Sequence, residues 1–355
     1  MAEELLKSIM QLSKERGISP DIFYSAIKEA LLTVSKRYFD SEPEADVQVE
    51  IDKDKGNIQV YITKLVVKKV QDPSTEISWK EALKYNSKVR EGDEIKIFLP
   101  GETLGRVAAQ TAKNIIMHKV LKAEQQKIYD KYLPLMGTLI SGEVRRIEKN
   151  NVIVGLDIGE AILPPKELSA KDIFRRGDII KFYIKRVFPE GKGPLILGSR
   201  YMNDFVLELI KKEVPEVAEE IVKIFAISRE PGIKSKVAVY SIDKTVDPVG
   251  AIVGMNGNRV LSITKELRGE RIDVIAWSNS PERFIASALT PAEVVKVKVV
   301  DRDNSKAEAT VSDASLSSAI GKKGINIKLA SKLTKWNIQL TNRMENRSKV
   351  TQKKL

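Results

Sequence analysis

Apolar residues recur at helical spacing at the start of this 355-residue chain and then change period. Leu5, Leu6, Ile9, Met10 and Leu12 form one face of a helix that Gly17 breaks. Ser19-Pro20-Asp21 opens a second helix, with Ser as cap and Pro at the first helical position. Ile22, Phe23, Ala26, Ile27, Ala30, Leu31 and Val34 carry its apolar stripe, and it ends near Tyr38. The period then falls to two. Val47, Val49 and Ile51 alternate, as do Ile58, Val60 and Ile62 after Lys55-Gly56-Asn57, which predicts a hairpin. Ile95, Ile97 and Leu99 predict a further strand before Pro100-Gly101. No proline interrupts the stretch from Thr103 to Lys131, and a helix of that length, about 28 residues, would span roughly 42 Å as a connector. Its apolar line is Leu104, Val107, Ala108, Ile115, Val120 and Ile128, and its other side carries Arg106, Lys113, Lys119, Lys122 and Lys127.

Residues 134–200 read as all-β. Short runs at Gly142–Val144, Val152–Val154, Ala161–Leu163, Ile179–Val187 and Leu195–Leu197, separated by turn residues, predict a small OB-type barrel. Residues 201–277 and 278–341 then repeat one order of elements. The first copy has a helix from Phe205 to Ile224 and strands near Ala226–Ser228 and Val237–Tyr240. A short helix follows from Asp247-Pro248, then a helix from Arg259 to Leu267 and a strand Ile272–Ala276. The second has a helix after Ser280-Pro281, strands Val294–Val300 and Ala307–Val311, a helix from Asp313, a helix to about Leu333 and a strand Trp336–Leu340.

Between the paired helices of each copy stands the same frame, apolar-Gly-x-x-Gly-x-x-apolar. It reads Val253-Gly254-Met255-Asn256-Gly257-Asn258-Arg259-Val260 and then Ile320-Gly321-Lys322-Lys323-Gly324-Ile325-Asn326-Ile327. A glycine pair at a helix junction lets another polymer's backbone come close, and the KH fold uses such a loop to clamp four nucleotides of single-stranded RNA. The α-β-β-α-α-β order around each loop is the bacterial, type II, KH topology. A plain helix–turn–helix elbow capped by glycine is the alternative for a single loop; two copies in matched settings favour RNA. Lys322 and Lys323 begin a helix, where free N–H groups already favour anions, and Lys328 follows one turn on. The first loop has no lysine. Its phosphate contact would rest on backbone N–H groups, Asn258 and Arg259, with Arg229 and Lys236 as helpers from the sheet, while Met255 would pack against a base.

Composition narrows the chemistry. There is no cysteine and one histidine, His118, so thiolate metal sites, cysteine nucleophiles and Ser-His-Asp triads lack their parts. No Gly-x-x-x-x-Gly-Lys-Ser/Thr loop occurs, and Asp301-Arg302-Asp303 and Asp157/Glu160 read as turns rather than metal sites. No catalytic residue, cofactor or metal is expected. The acidic N-terminus is not a signal peptide and no apolar run has the length of a membrane span, so the expectation is a cytoplasmic protein away from membranes. Net charge is +12 but uneven. Residues 1–133 carry 22 basic and 21 acidic side chains, residues 134–200 carry 12 and 8, residues 201–276 carry 11 and 12, and residues 277–355 carry 15 and 7. A polyanion suits the second and last segments, and protein suits the near-neutral first. The alternative is a solubilising excess. In the barrel, Arg145-Arg146, Arg175-Arg176 and Lys185-Arg186 with Phe182, Tyr183 and Phe188 suggest single-strand binding, against a purely structural barrel. Arg343, Arg347, Lys349, Lys353 and Lys354 make the end a basic tail.

Several strings carry a family resemblance. They are Gly105-Arg-Val-Ala-Ala-Gln-Thr-Ala-Lys113, Glu160-Ala-Ile-Leu-Pro-Pro-Lys-Glu167, Asp247-Pro-Val-Gly-Ala-Ile-Val-Gly254 and Glu266-Leu-Arg-Gly-Glu-Arg-Ile-Asp-Val274. Together, over residues 1–341, the chain closely resembles the NusA family of bacterial transcription termination/antitermination factors. The resemblance implies a multi-domain α+β chain. Residues 1–133 would be an α/β RNA-polymerase-binding domain with the long helix, 134–200 an S1-type OB barrel, 201–277 and 278–345 two KH domains, and 346–355 a basic tail. It implies a monomer bound to RNA polymerase core near the RNA exit channel and to nascent single-stranded RNA, acting on pausing, termination and antitermination with other elongation factors. Arg106 and Lys113 would lie on the family's basic helix face beside emerging RNA, seven residues apart and so on one side. Some members add acidic helical repeats at the C-terminus; here contacts through such repeats are expected to be absent. A general RNA chaperone or RNA-processing accessory using the same surfaces is the alternative function, and a nuclease with RNA-binding appendages is a third.

Overall fold

The capped helix predicted from Ser19-Pro20-Asp21 forms as α1 (Pro20–Tyr38). In the computed structural model, which describes residues 11, 19–38, 46–52, 58–98 and 101–342, Phe23, Ile27 and Leu31 of α1 pack on Val47, Val49, Val60 and Ile62. These belong to β1 (Val47–Ile51) and β2 (Ile58–Val67), whose antiparallel register confirms the predicted period of two. β2 also pairs with β3 (Glu76–Ser78), in parallel, and with β4 (Glu94–Phe98). β3 and the short α2 (Trp79–Ala82) were not expected; three and four residues are too few to show a period. The long helix is α3 (Gly101–Tyr132), 32 residues. Its Val120 and Ala123 pack on the α1–β1–β2 core. The helix expected over Leu5–Leu12 and the Gly56 turn lie outside the described residues, as do Leu99 and the basic tail.

The chain divides into two compact units, Met1–Ile128 and Tyr129–Leu355. The second unit begins with a closed barrel of β5 (Leu139–Glu148), β6 (Asn151–Gly155), β7 (Glu160–Leu163), β8 (Ile179–Val187) and β9 (Ile196–Ser199), in the order β5-β6-β7-β9-β8. Val144, Val154, Leu163, Phe182, Ile184 and Ile196 are fully buried, so side chains fill the interior.

Two αββααβ modules follow. The first is α4 (Asn203–Glu213), the one-turn α5 (Pro215–Ala218), β10 (Val222–Glu230), β11 (Lys234–Ser241), α6 (Pro248–Val253), α7 (Asn258–Glu266) and β12 (Arg271–Ala276). The single helix expected from Phe205 to Ile224 is therefore corrected. Pro215 has no N–H to continue the ladder, α4 stops at Glu213, and Ile224 belongs to a strand. The second module is α8 (Pro281–Ala288), β13 (Val294–Asp301), β14 (Lys306–Val311), α9 (Leu316–Ile320), α10 (Ile325–Thr334) and β15 (Asn337–Asn342). In each sheet the first two strands are antiparallel and the last is parallel to the middle one.

The modules share a core. The outer face of the first sheet presents Ala226, Ala238, Ile275 and Trp277 to Phe284, Ile285, Ala288, Ala330 and Leu333 of the second module. Phe225 stacks on Trp277 at 4.9 Å and meets Phe284 edge-on at 6.0 Å. The matching row of the second sheet is Lys298, Glu308 and Gln339, paired across β13, β14 and β15. A polar row there caps the stack after two modules.

Candidate nucleic-acid interface

Each glycine loop is built by the helix before it. Asp247 caps α6, accepting from the Val249 and Gly250 N–H groups at 3.0 Å each, and α6 ends on Gly254. Gly254 has φ 74° and ψ 174°, and Gly321 has φ 73° and ψ 170°, a region essentially closed to other residues. Neither has room for a side chain. A Cβ on Gly254 would lie 2.3 Å from the Asn258 Oδ1, and one on Gly321 would lie 2.7 Å from the Asn326 Cβ. Asn256 and Lys323 then adopt φ 53° and 54°, and Gly257 and Gly324 φ 77° and 71°. The two loops thus share one conformation. The second glycine differs from the first in kind, for its missing Cβ would point into open space. That bare backbone is where another chain can approach.

The chemistry of the loops differs as the sequence suggests. Met255 is 84% exposed at the first tip, beside an exposed Asn256. Lys322 and Lys323 are exposed at the second and pair with no carboxylate among the described residues. Lys328, on α10, pairs with Glu230 of the first module at 3.1 Å.

Two residues past each second glycine lies an anchor. Arg259 donates from Nη1 to the Ala251 carbonyl and to both Glu216 oxygens, at 3.1 and 2.9 Å. A bond from its own backbone N–H, and then Arg259, hold the Glu216 carboxyl below the usual carboxylate range. Asn326, buried, donates to the carbonyls of Leu289 (3.1 Å) and Ala319 (3.2 Å), and accepts from the Lys234 Nζ at 3.1 Å. Arg259 is therefore turned inward to brace its loop, and the Asn258 side chain accepts from the Arg259 N–H at 2.8 Å. The anchor of the second loop reaches across to the first module, because Lys234 also pairs with Asp273 at 2.7 Å.

Arg229 and Lys236, read from the sequence as helpers to the first loop, are buried and serve the packing instead. Arg229 makes a bidentate pair with fully buried Glu270 at 2.8 and 2.9 Å, and its Nη1 donates to the carbonyls of Arg200, Tyr201 and Met202. Glu270 also accepts from the Gly232 N–H and the Ser235 hydroxyl. Lys236 Nζ donates to Asp273 (2.9 Å) and the Thr290 carbonyl (2.8 Å), and burial, opposed by Asp273, lowers its pKa to about 8. Arg200, buried, ties the barrel to the first module through Asp172 at 2.9 Å and Glu266 at 3.1 Å. Glu266, Glu270 and Asp273 stand inside a family string, but neither the burial of Glu270 nor that of the basic partners shows in the sequence, since polar residues in short strands look alike on either face.

On the barrel, Arg146 is shared between Glu160 and Glu148, and Arg145 pairs with Glu143 at 3.1 Å. Lys185 is held by Glu167. Arg175 and Arg176 are exposed and their guanidinium groups pair with no carboxylate among the described residues. Of the candidate stacking rings, Phe182 is buried in the barrel, Tyr183 packs against the first module, and Phe188 lies under Arg186 at 5.2 Å. Arg106 and Lys113 fall within α3, but their side chains lie outside the described residues. Barrel and modules thus form one body that carries two like loops of unlike charge.

Residues 4–126 match the NusA N-terminal domain, 200–277 the NusA-like first KH domain and 281–348 the NusA-like second KH domain. The chain is 40% identical over 340 residues to the transcription termination/antitermination protein NusA of Rickettsia conorii, covering 95% of this chain and 67% of that one. It is 39% identical over 347 residues to the protein of that name from Thermus thermophilus (95% and 89% covered). Against that of Bacillus subtilis it is 38% identical over 340 residues (96% and 91% covered). The chain belongs to the NusA family.

Proposed function

We propose that this chain is a non-enzymatic factor of transcription termination and antitermination. It holds RNA polymerase core near the RNA exit channel through residues 1–133, and guides nascent single-stranded RNA over residues 134–341. In this reading it works as a cytoplasmic monomer alongside other elongation factors; no described helix is long and apolar enough to cross a membrane. The observation that carries the RNA part is the pair of loops with one backbone conformation, each with an open face at its second glycine. Lys322 and Lys323, free of carboxylates among the described residues, supply the phosphate contact. Met255 and Asn256 shape or select the RNA more than hold it. In the barrel, Arg146 is held by two carboxylates, Glu148 and Glu160, so its contribution to RNA affinity is the smaller one, while the single exposed Arg145–Glu143 pair is weak enough to open to phosphate.

The test is the double substitution Lys322→Asp with Lys323→Asp in the whole chain. Binding of single-stranded RNA, read by gel shift, should weaken by about ten- to a hundredfold at moderate salt, with the circular dichroism spectrum unchanged. Unchanged affinity would sink the assignment of this loop.

A further inference from the structure

We propose that the cleft between the linker Tyr201–Met202, with the first residue of α4, and α10 is a separate subsite for one nucleotide of single-stranded RNA, with Tyr201 as stacking platform and Lys332 and Lys328 as phosphate contacts. This rests on the RNA-guiding reading above and adds a station beside the second glycine loop, built on Tyr201 and Lys332, to which Lys328, expected from the sequence to extend that loop, also belongs.

The cleft has a volume of about 440 Å³, within the range of pockets that hold small ligands, and its walls include Tyr201, Asn203, Arg229, Glu230, Lys328 and Lys332. It lies where the barrel, the first module and the second module meet. The linker leaves β9 of the barrel, Glu230 ends β10, and the lysines stand on α10. Tyr201 is 47% exposed, although its backbone is fixed. Its N–H donates to the Ser199 hydroxyl at 3.2 Å, and its carbonyl accepts from the Arg229 Nη1 at 3.1 Å. Met202 is held in the same way, its N–H by Ser199 at 3.4 Å and its carbonyl by Arg229 at 2.7 Å. An aromatic ring shown to solvent from a pinned backbone is preorganised to stack on a base, and such stacking tolerates any base.

The polar walls complete the site. Arg229 is committed to Glu270 and three carbonyls, so it forms the floor and does not take a ligand. Lys328 and Lys332 are four residues apart and share one face of α10. Lys332 is exposed and has no partner among the described residues. The Lys328–Glu230 pair is itself exposed, and such pairs are weak enough for a phosphate to replace the carboxylate. Asn203, which lines the cleft, donates from its side-chain amide to the Ile227 carbonyl at 3.0 Å, and its side-chain oxygen is of the kind that accepts from a base amine. Ring, cation and acceptor together are the parts a nucleotide requires. An acidic peptide would use the lysines alone.

The experiment uses the whole chain and a single-stranded RNA long enough to span barrel and modules, with Lys322→Asp/Lys323→Asp as reference. Tyr201→Ala should weaken binding about tenfold, while Tyr201→Phe keeps it. Lys332→Ala should reduce the slope of log affinity against log salt by about 0.7, one phosphate contact on a single strand. RNA substituted with 4-thiouridine should cross-link to Tyr201. If Tyr201→Ala and Lys332→Ala bind as the unaltered chain does while the reference variant is impaired, the cleft assignment is wrong and the loop reading stands. If the reference variant also binds normally, the RNA reading falls, and the cleft with it. Protection of Tyr201 from chemical modification by polyglutamate but not by RNA would also overturn the proposal.

Discussion

The glycines of the two loops do different work although the sequence writes them alike. Gly321 holds φ 73° and ψ 170° against the start of α10, where a Cβ would meet Asn326 at 2.7 Å. Gly324 needs only a left-handed backbone, with open space beyond it. Gly321→Ala should therefore cost more stability than Gly324→Ala, which pays the left-handed strain of about 1–2 kcal/mol and no clash. Thermal unfolding of the two variants checks this, and equal losses would contradict it. Gly324→Ala should nonetheless weaken RNA binding, because its new methyl stands where the other backbone approaches. The frame Gly-x-x-Gly was legible in the sequence, and so was the contrast between Lys322-Lys323 and Met255-Asn256. The inward turn of Arg259 was not, because a basic residue beside a glycine loop reads the same whether it faces phosphate or Glu216.

Elements with a sustained period were readable, and those set by a single residue or by tertiary packing were less so. α1, the β1–β2 hairpin and the long α3 follow from spacing of apolar positions. The break at Pro215 does not show in the apolar pattern, because apolar residues continue on both sides of it. The outer face of the β10–β11–β12 sheet could not be assigned from alternation, since the residues that face the second module, Ala226, Ala238 and Ile275, are apolar like those of its own core. That face also buries Lys236. Its folded pKa, near 8, lies below the 10.5 of an ordinary lysine. Between these values the unfolded chain binds more protons, so this residue's contribution to stability rises with pH across that window. Tyr132 and Tyr183, whose phenols burial raises, act in the opposite sense, but only at and above pH 10. Lys236→Met should flatten the rise, read by denaturant unfolding at several pH values from 8 to 10. An unchanged slope would show that Lys236 carries no proton linkage.

At the scale of the molecule, the two modules are joined by the apolar core they share, and the barrel is joined to the first module by packing and by buried charges. Arg200 bridges barrel and first module, and the Arg229–Glu270 pair fixes the connecting backbone. Asn326 links the second loop to Lys234 of the first module. One RNA strand held at several stations of a single body gains affinity through effective concentration, without any one station being strong. This is the physical content of the proposed transcript guide, and the uneven charge, concentrated toward residues 277–355 while residues 1–133 stay near neutral, is consistent with that proposal. The most direct measurement is photo-cross-linking of nascent RNA in a stalled elongation complex reconstituted with the whole chain. The account predicts cross-links to the Met255–Gly257 and Lys322–Gly324 loops, with those at the second loop lost in Lys322→Asp/Lys323→Asp while the variant stays bound to polymerase. A chain that binds polymerase while its transcript cross-links to neither loop would contradict it.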